Sequence, residues 1–104
     1  MTDVRVVLVT CPQAELAARI ARTLVEEGLA ACGNLVPGLR SIYRWEGETL
    51  DEPEVLLVLK TTAARFEALR ERVVALHPYE VPEVISLAVD AGHAPYLAWV
   101  AGGV

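Results

Sequence analysis

Two cysteines, Cys11 and Cys32, are the first residues in the chain whose chemistry could serve a metal or redox site. They stand far apart, outside the Cys-x-x-Cys spacing of redox and zinc motifs, and two cysteines do not make a disulfide framework. Two interpretations stay open. In one, both thiols are small buried groups in a reducing compartment. In the other, Cys11 is a soft metal ligand or reactive thiolate, because it precedes Pro12 at a predicted helix start, where the helix dipole favours the anion.

His77 is the second candidate and lies between a predicted helix and a proline. One interpretation makes it a cation at the helix C-terminus, stabilised by the dipole. The other makes its imidazole a metal ligand, joined by Cys11, Glu80 or Glu83 from the same chain or from a neighbouring subunit. His93 has no comparable neighbours, and we expect it to be solvated or to cap the last helix.

A further set of residues combines aromatic rings with charged groups: Tyr43, Trp45, Glu46, Lys60, Tyr79, Glu80 and Glu83. Lys60 is the only lysine and ends an otherwise apolar run. In one interpretation Tyr43 and Trp45 anchor a subunit interface while Lys60 pairs with a carboxylate. In the other, these residues form an intersubunit pocket for a small anion or metabolite, with Lys60 supplying charge and the rings supplying walls.

The elements that must position these residues follow from hydrophobic spacing. Leu16, Ile20 and Leu24 recur every four residues and predict a first helix, which Pro12 opens and Gly28 closes. Residues 63–76 predict a second helix, capped by Thr61 or Thr62. Strands are predicted at 4–10, 55–61 and 84–89, an extended segment at 29–45 broken by Pro37-Gly38, a turn at 46–48, a polar stretch through 51–53, and a short last helix from Pro95.

The order β-α-β-β-α-β is the ferredoxin-like pattern, an α+β sandwich. Right-handed crossovers then place two helices on one face of a four-stranded antiparallel sheet, with a short C-terminal helix following. A sheet with one wet face alternates apolar and polar residues, but the predicted strands are apolar on both sides. Since the helices cannot cover both faces, we expect copies of the chain to shield one another in a closed assembly.

Length and composition narrow the class of protein. The chain has 104 residues, which predicts one domain over 1–104. The net charge of −5 gives no general attraction to nucleic acid or acidic membranes, and no apolar run reaches the length of a spanning helix. With no secretion signal apparent, we expect a cytoplasmic protein. Neither a Ser-His-Asp or Cys-His arrangement nor a phosphate-binding loop is found, so we expect no enzymatic activity.

Four segments, taken in order, resemble the CutA family of divalent-cation tolerance proteins. The run at 34–47 reads Asn-Leu-Val-Pro-Gly-Leu-Arg-Ser-Ile-Tyr-Arg-Trp-Glu-Gly, and the others are Leu-Lys-Thr-Thr at 59–62, His-Pro-Tyr-Glu-Val-Pro-Glu at 77–83 and Tyr-Leu-Ala-Trp at 96–99. The resemblance covers nearly the whole chain. It implies a ferredoxin-like fold assembled as a homotrimer, with an architecture similar to the PII signalling proteins.

The resemblance also implies a function in tolerance to copper and other divalent cations. In family members that bind copper, the implicated ligands are a Cys on the first strand and a His-His pair before Pro-Tyr. This chain has Val9 at the Cys position, with Cys11 two residues later, and only His77 of the pair. We therefore expect at most weak binding of copper or another divalent cation by Cys11, His77 and Glu80. No cofactor is certain, an unidentified protein partner stays open, and the alternative is a PII-like regulator that binds a small ligand between subunits.

Overall fold

Four antiparallel strands form one sheet in the order β2-β3-β1-β4, as seen in a computed structural model that describes residues 2–104. The strands are β1 Val4–Cys11, β2 Cys32–Trp45, β3 Glu48–Thr62 and β4 Ile85–Ala88. The helices are α1 Ala14–Glu26, α2 Phe66–Leu76 and α3 Ala94–Gly102, with a 3-10 turn Ala63–Arg65 before α2. The ferredoxin-like α+β fold is confirmed. Within the described residues, none of the helices has the length and apolarity to span a membrane.

The core lies between one face of the sheet and the helices α1 and α2. Strand side chains on this face alternate with those on the other, so every second residue along the middle of β1 and β3 is buried. The buried strand residues pack with the apolar stripes of the two helices: Val7, Val9, Leu57 and Leu59 with Ile20, Leu24, Leu69 and Val73. The apolar residues whose spacing predicted the two helices are therefore buried against the sheet.

The second face of the sheet carries the even-numbered residues of β1 and β3. Leu8 pairs with Val58 on one side and with Ile85 of β4 on the other, and all three side chains are apolar. Helix α3 contacts β1 and β3, and both its Val100 and Val4 at the start of β1 are buried. Most of β4 stays exposed, including Ile85 and Leu87. The sheet is apolar on both sides, as the sequence predicts.

Strands β2 and β3 extend beyond the body of the protein as a long hairpin, the arm, formed by residues 39–54. Its tip is a two-residue turn in which Glu46 (φ 51°) and Gly47 (φ 81°) are both left-handed, the geometry that suits a tight hairpin. The polar stretch that the sequence placed outside a strand is part of β3, which begins at Glu48 rather than at residue 55. Because the arm lies outside the hydrophobic core, its strands lack the alternation of apolar and polar residues that predicts a half-buried strand.

A bulge separates the arm from the body of β2. The register passes from Val36 opposite Leu56 to Leu39 opposite Glu54, so β2 carries one residue more than β3 across this step. The bulge contains Pro37 and Gly38, and Gly38 has φ 83°. As a result, Tyr43 and the other odd-numbered residues of the arm share a face with the even-numbered residues of β3. The break predicted at Pro37-Gly38 is confirmed.

Two details of the predicted helices need correction, and one is confirmed. Helix α1 begins at Ala14 with Gln13 as its N-cap, because β1 continues through Cys11. Neither Thr61 nor Thr62 caps the second helix with its side chain; Thr61 Oγ1 instead donates a hydrogen bond of 2.7 Å to the carbonyl of Leu29. Gly28 does close α1 in the left-handed conformation, with φ 72°.

Candidate functional site

A cleft of about 680 Å³ lies between the arm and the connector 78–83 that joins α2 to β4. We call it the arm cleft. Its aromatic and acidic lining residues are Tyr43, Trp45, Tyr79, Glu54, Glu80 and Glu83. Within the described residues, no lysine or arginine lines it. The structure thus brings together five residues that the sequence singled out and adds Glu54, which it did not.

Glu54 is the most buried of the acidic residues in the cleft, with 9% of its surface exposed. The hydroxyl of Tyr79 donates a hydrogen bond of 2.6 Å to Glu54 Oε2, and on the arm the hydroxyl of Tyr43 donates to Glu52. Burial and then the bond to Glu54 raise the pKa of Tyr79. Burial and the nearby charge of Glu54 also raise the pKa of Glu83. The cleft is therefore a negatively charged environment that disfavours further anions.

The imidazole of His77 lies next to this cleft and is buried. Its Nε2 is 2.8 Å from the carbonyl oxygen of Thr10 on β1, and its Nδ1 accepts the backbone N–H of Tyr79 at 3.2 Å. A carbonyl only accepts, so Nε2 carries the proton in this tautomer. His77 follows the last residue of α2, as expected, but its ring bonds β1 and the connector rather than the helix carbonyls. It ties the helix end to the sheet.

Cys11 ends β1 and its side chain is fully buried on the helix-covered face. The prediction that a helix start favours its thiolate is wrong, because Cys11 lies in a strand. Burial and the charge of Glu54 raise the pKa of the thiol to about 11. Cys32 is half-buried, with its sulfur 3.7 Å from the hydroxyl of Tyr96, and both cysteines are free.

Lys60 lies outside the arm cleft, on the second face of the sheet. Its ammonium group donates a hydrogen bond to Asn34 Oδ1 on β2 rather than pairing with a carboxylate. Lys60 does not line the arm cleft of its own chain, and its role in an intersubunit pocket stays a prediction. Glu46 lies in the turn at the tip of the arm and does not line the cleft. His93 is exposed and is the N-cap residue of α3, without a side-chain capping bond.

The three residues predicted as metal ligands do not form one cluster of donors. Across residues 2–104, no group of three or more His, Cys, Asp or Glu side chains is placed to hold a metal ion. The thiol of Cys11 faces the core, both nitrogens of His77 are hydrogen-bonded, and Glu80 lines the cleft. The assignment of these residues to a metal site stays a prediction.

Glu54 is the residue that sequence reasoning missed. It falls between Pro53 and an apolar strand, where a single glutamate reads as a solvated strand end. The signal that the sequence offers is its even-numbered position. It places Glu54 on the same face of β3 as Leu56 and Val58, opposite the core residues. Its burial depends on Tyr79, which is distant in sequence and reaches it only through the fold.

The four-stranded sheet in the order β2-β3-β1-β4, with the arm cleft at the base of its hairpin, defines a ferredoxin-like α+β protein. The sequence profile described as CutA1 divalent ion tolerance protein matches residues 5–102. The divalent-cation tolerance protein CutA of Thermus thermophilus is 56% identical over 95 residues, covering 91% of this chain and 92% of that protein. The chain therefore belongs to the CutA1 divalent ion tolerance family.

A second relative and a solved structure agree with this assignment. The CutA homolog of Xenopus laevis is 52% identical over 92 residues, covering 88% of this chain, and the chain spans 61% of that protein's length. The solved structure of the divalent cation tolerance protein from Thermus thermophilus superposes with a TM-score of 0.94 at 53% identity, covering 96% of this chain and 97% of that one. The family and the fold predicted from the sequence are both confirmed.

Proposed function

We propose that this chain acts in divalent-cation tolerance as a cytoplasmic homotrimer that binds divalent cations, copper included, weakly. Membership of the CutA1 family supports the tolerance function. The observation that carries the weak binding is the state of the predicted ligands: both ring nitrogens of His77 are already hydrogen-bonded within the chain. A cation must displace those bonds, at a cost of about 1–3 kcal/mol for each polar group left unpaired.

Cys11 supports the same conclusion by a different route. A metal binds the thiolate, and the raised pKa of Cys11 means that the proton is held tightly at neutral pH. Glu80 is exposed and available at the cleft, where a carboxylate suits hard cations better than copper. Copper binding through imidazole and carboxylate oxygen is therefore expected to be weak.

Calorimetric titration of Cu(II) tests this part of the proposal. We expect His77→Ala and Glu80→Gln each to lower the affinity, while Glu26→Gln, which makes the same charge change on the exposed side of α1, leaves it unchanged. Because His77 is buried and its alanine variant loses packing, circular dichroism must accompany each titration. Unchanged affinity in both variants would remove these residues from the metal site.

The trimer is supported by the second face of the sheet. Val58, Ile85 and Leu87 leave a continuous apolar surface that α3 covers only at one end. A surface of this kind is uncommon on a monomer, and a second copy supplies an equally apolar cover. A closed cyclic arrangement hides every such face without leaving one exposed.

Light scattering with size-exclusion chromatography tests the assembly, and we expect a mass three times that of the chain. Leu87 and Val74 are similarly exposed in the single chain, at 48% and 45%, but Leu87 lies on β4 and Val74 on α2. Leu87→Asp should dissociate the assembly, and Val74→Asp should not. A wild-type monomer at micromolar concentration would refute the proposal.

A second candidate function is binding of a small ligand in the manner of a PII-like regulator. The observation that favours it is the arm cleft itself, since about 680 Å³ lined by three aromatic rings lies within the size range of small-molecule sites. This cleft is present in each chain and lies on the second face of the sheet, which contributes Thr10 and Glu54 to its lining.

A further inference from the structure

The arm cleft combines aromatic rings with buried negative charge. Three aromatic rings line it, those of Tyr43, Trp45 and Tyr79, together with the carboxylates of Glu54 and Glu83. The described residues place no lysine or arginine in its lining, so nothing there balances the negative charge. An anionic ligand would meet repulsion and find no cationic partner.

Glu54 shows that the negative charge is held deep in the cleft rather than only at its mouth. Its side chain is nine-tenths buried, yet the described residues donate only one hydrogen bond to its carboxylate, from Tyr79 to Oε2. None of the ion pairs seen within residues 2–104 involves Glu54. Buried carboxylates are normally paired, so this one has capacity for a cationic partner.

The shape of the cleft distinguishes between kinds of cation. A bare metal ion needs several donor atoms converging on one point, and the described residues provide no such cluster. An organic ammonium group instead needs one carboxylate and aromatic faces, which attract the cation and contact its alkyl groups. Tyr43 and Trp45 on the arm and Tyr79 on the connector supply those rings from two separate segments of the chain.

We propose that the arm cleft binds a small organic cation, an amine or quaternary ammonium compound, with the charge against Glu54 and the alkyl groups against the rings of Tyr43, Trp45 and Tyr79. This site rests on the second candidate function and deepens it by naming its ligand class. It does not depend on the predicted metal ligands Cys11 and His77.

Calorimetric titration of the assembled wild-type protein with choline tests the proposal. The matched probe is 3,3-dimethylbutan-1-ol, which has the same shape with carbon in place of the charged nitrogen. We expect choline to bind saturably and the neutral probe to bind at least about ten-fold more weakly, since only choline gains the electrostatic attraction to the rings and to Glu54. Equal binding of the two probes, or no saturable binding of choline, would overturn the proposal.

Variants locate the site. Glu54→Gln keeps the shape of the side chain and should weaken choline binding about ten-fold, whereas Glu26→Gln makes the same charge change outside the cleft and should not. Because Glu54 is buried and its variant could fold poorly, Trp45→Leu provides an independent test on an exposed position of the arm. It should weaken choline binding more than binding of the neutral probe, because only choline loses the attraction between its charge and the ring. Choline affinity unchanged in folded Glu54→Gln and in Trp45→Leu would refute the site.

The same samples separate this inference from the function proposed above. A trimeric protein that binds Cu(II) weakly but not choline would refute the organic-cation site and leave the tolerance proposal standing. A protein that binds choline through Glu54 but is monomeric would refute the trimer and support the site.

Discussion

The hydroxyl of Tyr79 donates a hydrogen bond of 2.6 Å to Oε2 of Glu54, joining the connector between α2 and β4 to the base of the arm. The acceptor is a buried carboxylate, and the donor comes from a residue 25 positions further along the chain. The bond fixes the connector against β3, and with it the position of the Tyr79 ring relative to the two rings on the arm.

Removing this bond should destabilise the protein measurably. We expect Tyr79→Phe to lower the free energy of unfolding by about 1–3 kcal/mol, because it leaves a buried carboxylate without its donor. Tyr43→Phe is the matched control: its hydroxyl bonds Glu52, which is exposed and can bond water instead, so the change should stay within about 0.5 kcal/mol. Urea denaturation measures the free energy of unfolding of both variants. An equal decrease in the two would contradict a stabilising role for the bond between Tyr79 and Glu54.

Cys11 predicts a decrease of stability at alkaline pH. Its thiol pKa is raised from the ordinary value of 9.0 to about 11, so the folded state retains the proton that the unfolded chain releases. The stabilisation is complete below pH 9 and is lost as the pH rises to about 11, by about 2–3 kcal/mol in total. Denaturation at a series of pH values should show this slope in wild type and in Cys32→Ala. It should be absent in Cys11→Ala; a slope that survives there belongs to another group.

The environment of Glu83 predicts that the difference in stability between the wild type and Glu83→Gln depends on pH. Burial and the charge of Glu54 raise its pKa above the ordinary 4.5, so its ionised form is disfavoured in the folded state. Glu83→Gln should therefore stabilise the protein at pH 7, and the gain should disappear as the pH falls below about 4. Thermal unfolding at both pH values, with Glu26→Gln as the control for net charge, measures it. A loss of stability at pH 7 would show that Glu83 has a favourable partner.

Gly33 predicts a packing effect at the start of β2. A Cβ at this position would lie 3.0 Å from the Cβ of Ala21 on α1 and 3.1 Å from Cδ2 of Leu59 on β3. We expect Gly33→Ala to cost about 1–3 kcal/mol, since the helix must move away from the sheet. Gly102→Ala has no atom within 4 Å of the new methyl group and should be close to neutral in the same denaturation assay. A neutral Gly33→Ala would mean that α1 can shift freely.

The parts of the fold that the sequence predicts well are those in which burial follows a local period. Ile20 and Leu24 are spaced for a helix and are fully buried, and the three strands predicted by β-branched runs are all present. The start of β3 was missed because the arm pairs outside the core. There, contacts such as the ion pair of 2.8 Å between Arg40 and Asp51 link polar residues across the two strands.

The candidate site was predicted in composition but not in arrangement. Tyr43, Trp45 and Tyr79 do line one cleft, because the arm and the connector come together in the fold. Lys60 shares the second face with Glu54 but lies further along β3, opposite Val6 and Cys32, and so does not line the cleft. Cys11 was misplaced because β1 ends one residue later than the predicted strand, so Cys11 lies in the strand rather than at a helix start.

The bulge at Pro37-Gly38 limits which insertions and deletions in β2 keep the side chains of the arm on the same side. Since side chains alternate along a strand, deleting one residue there would turn Tyr43 and Trp45 to the opposite side of the arm, away from Glu54. Deleting or adding two residues would restore their orientation. Among natural relatives, insertions at this point are therefore expected to come in pairs wherever the aromatic wall is retained.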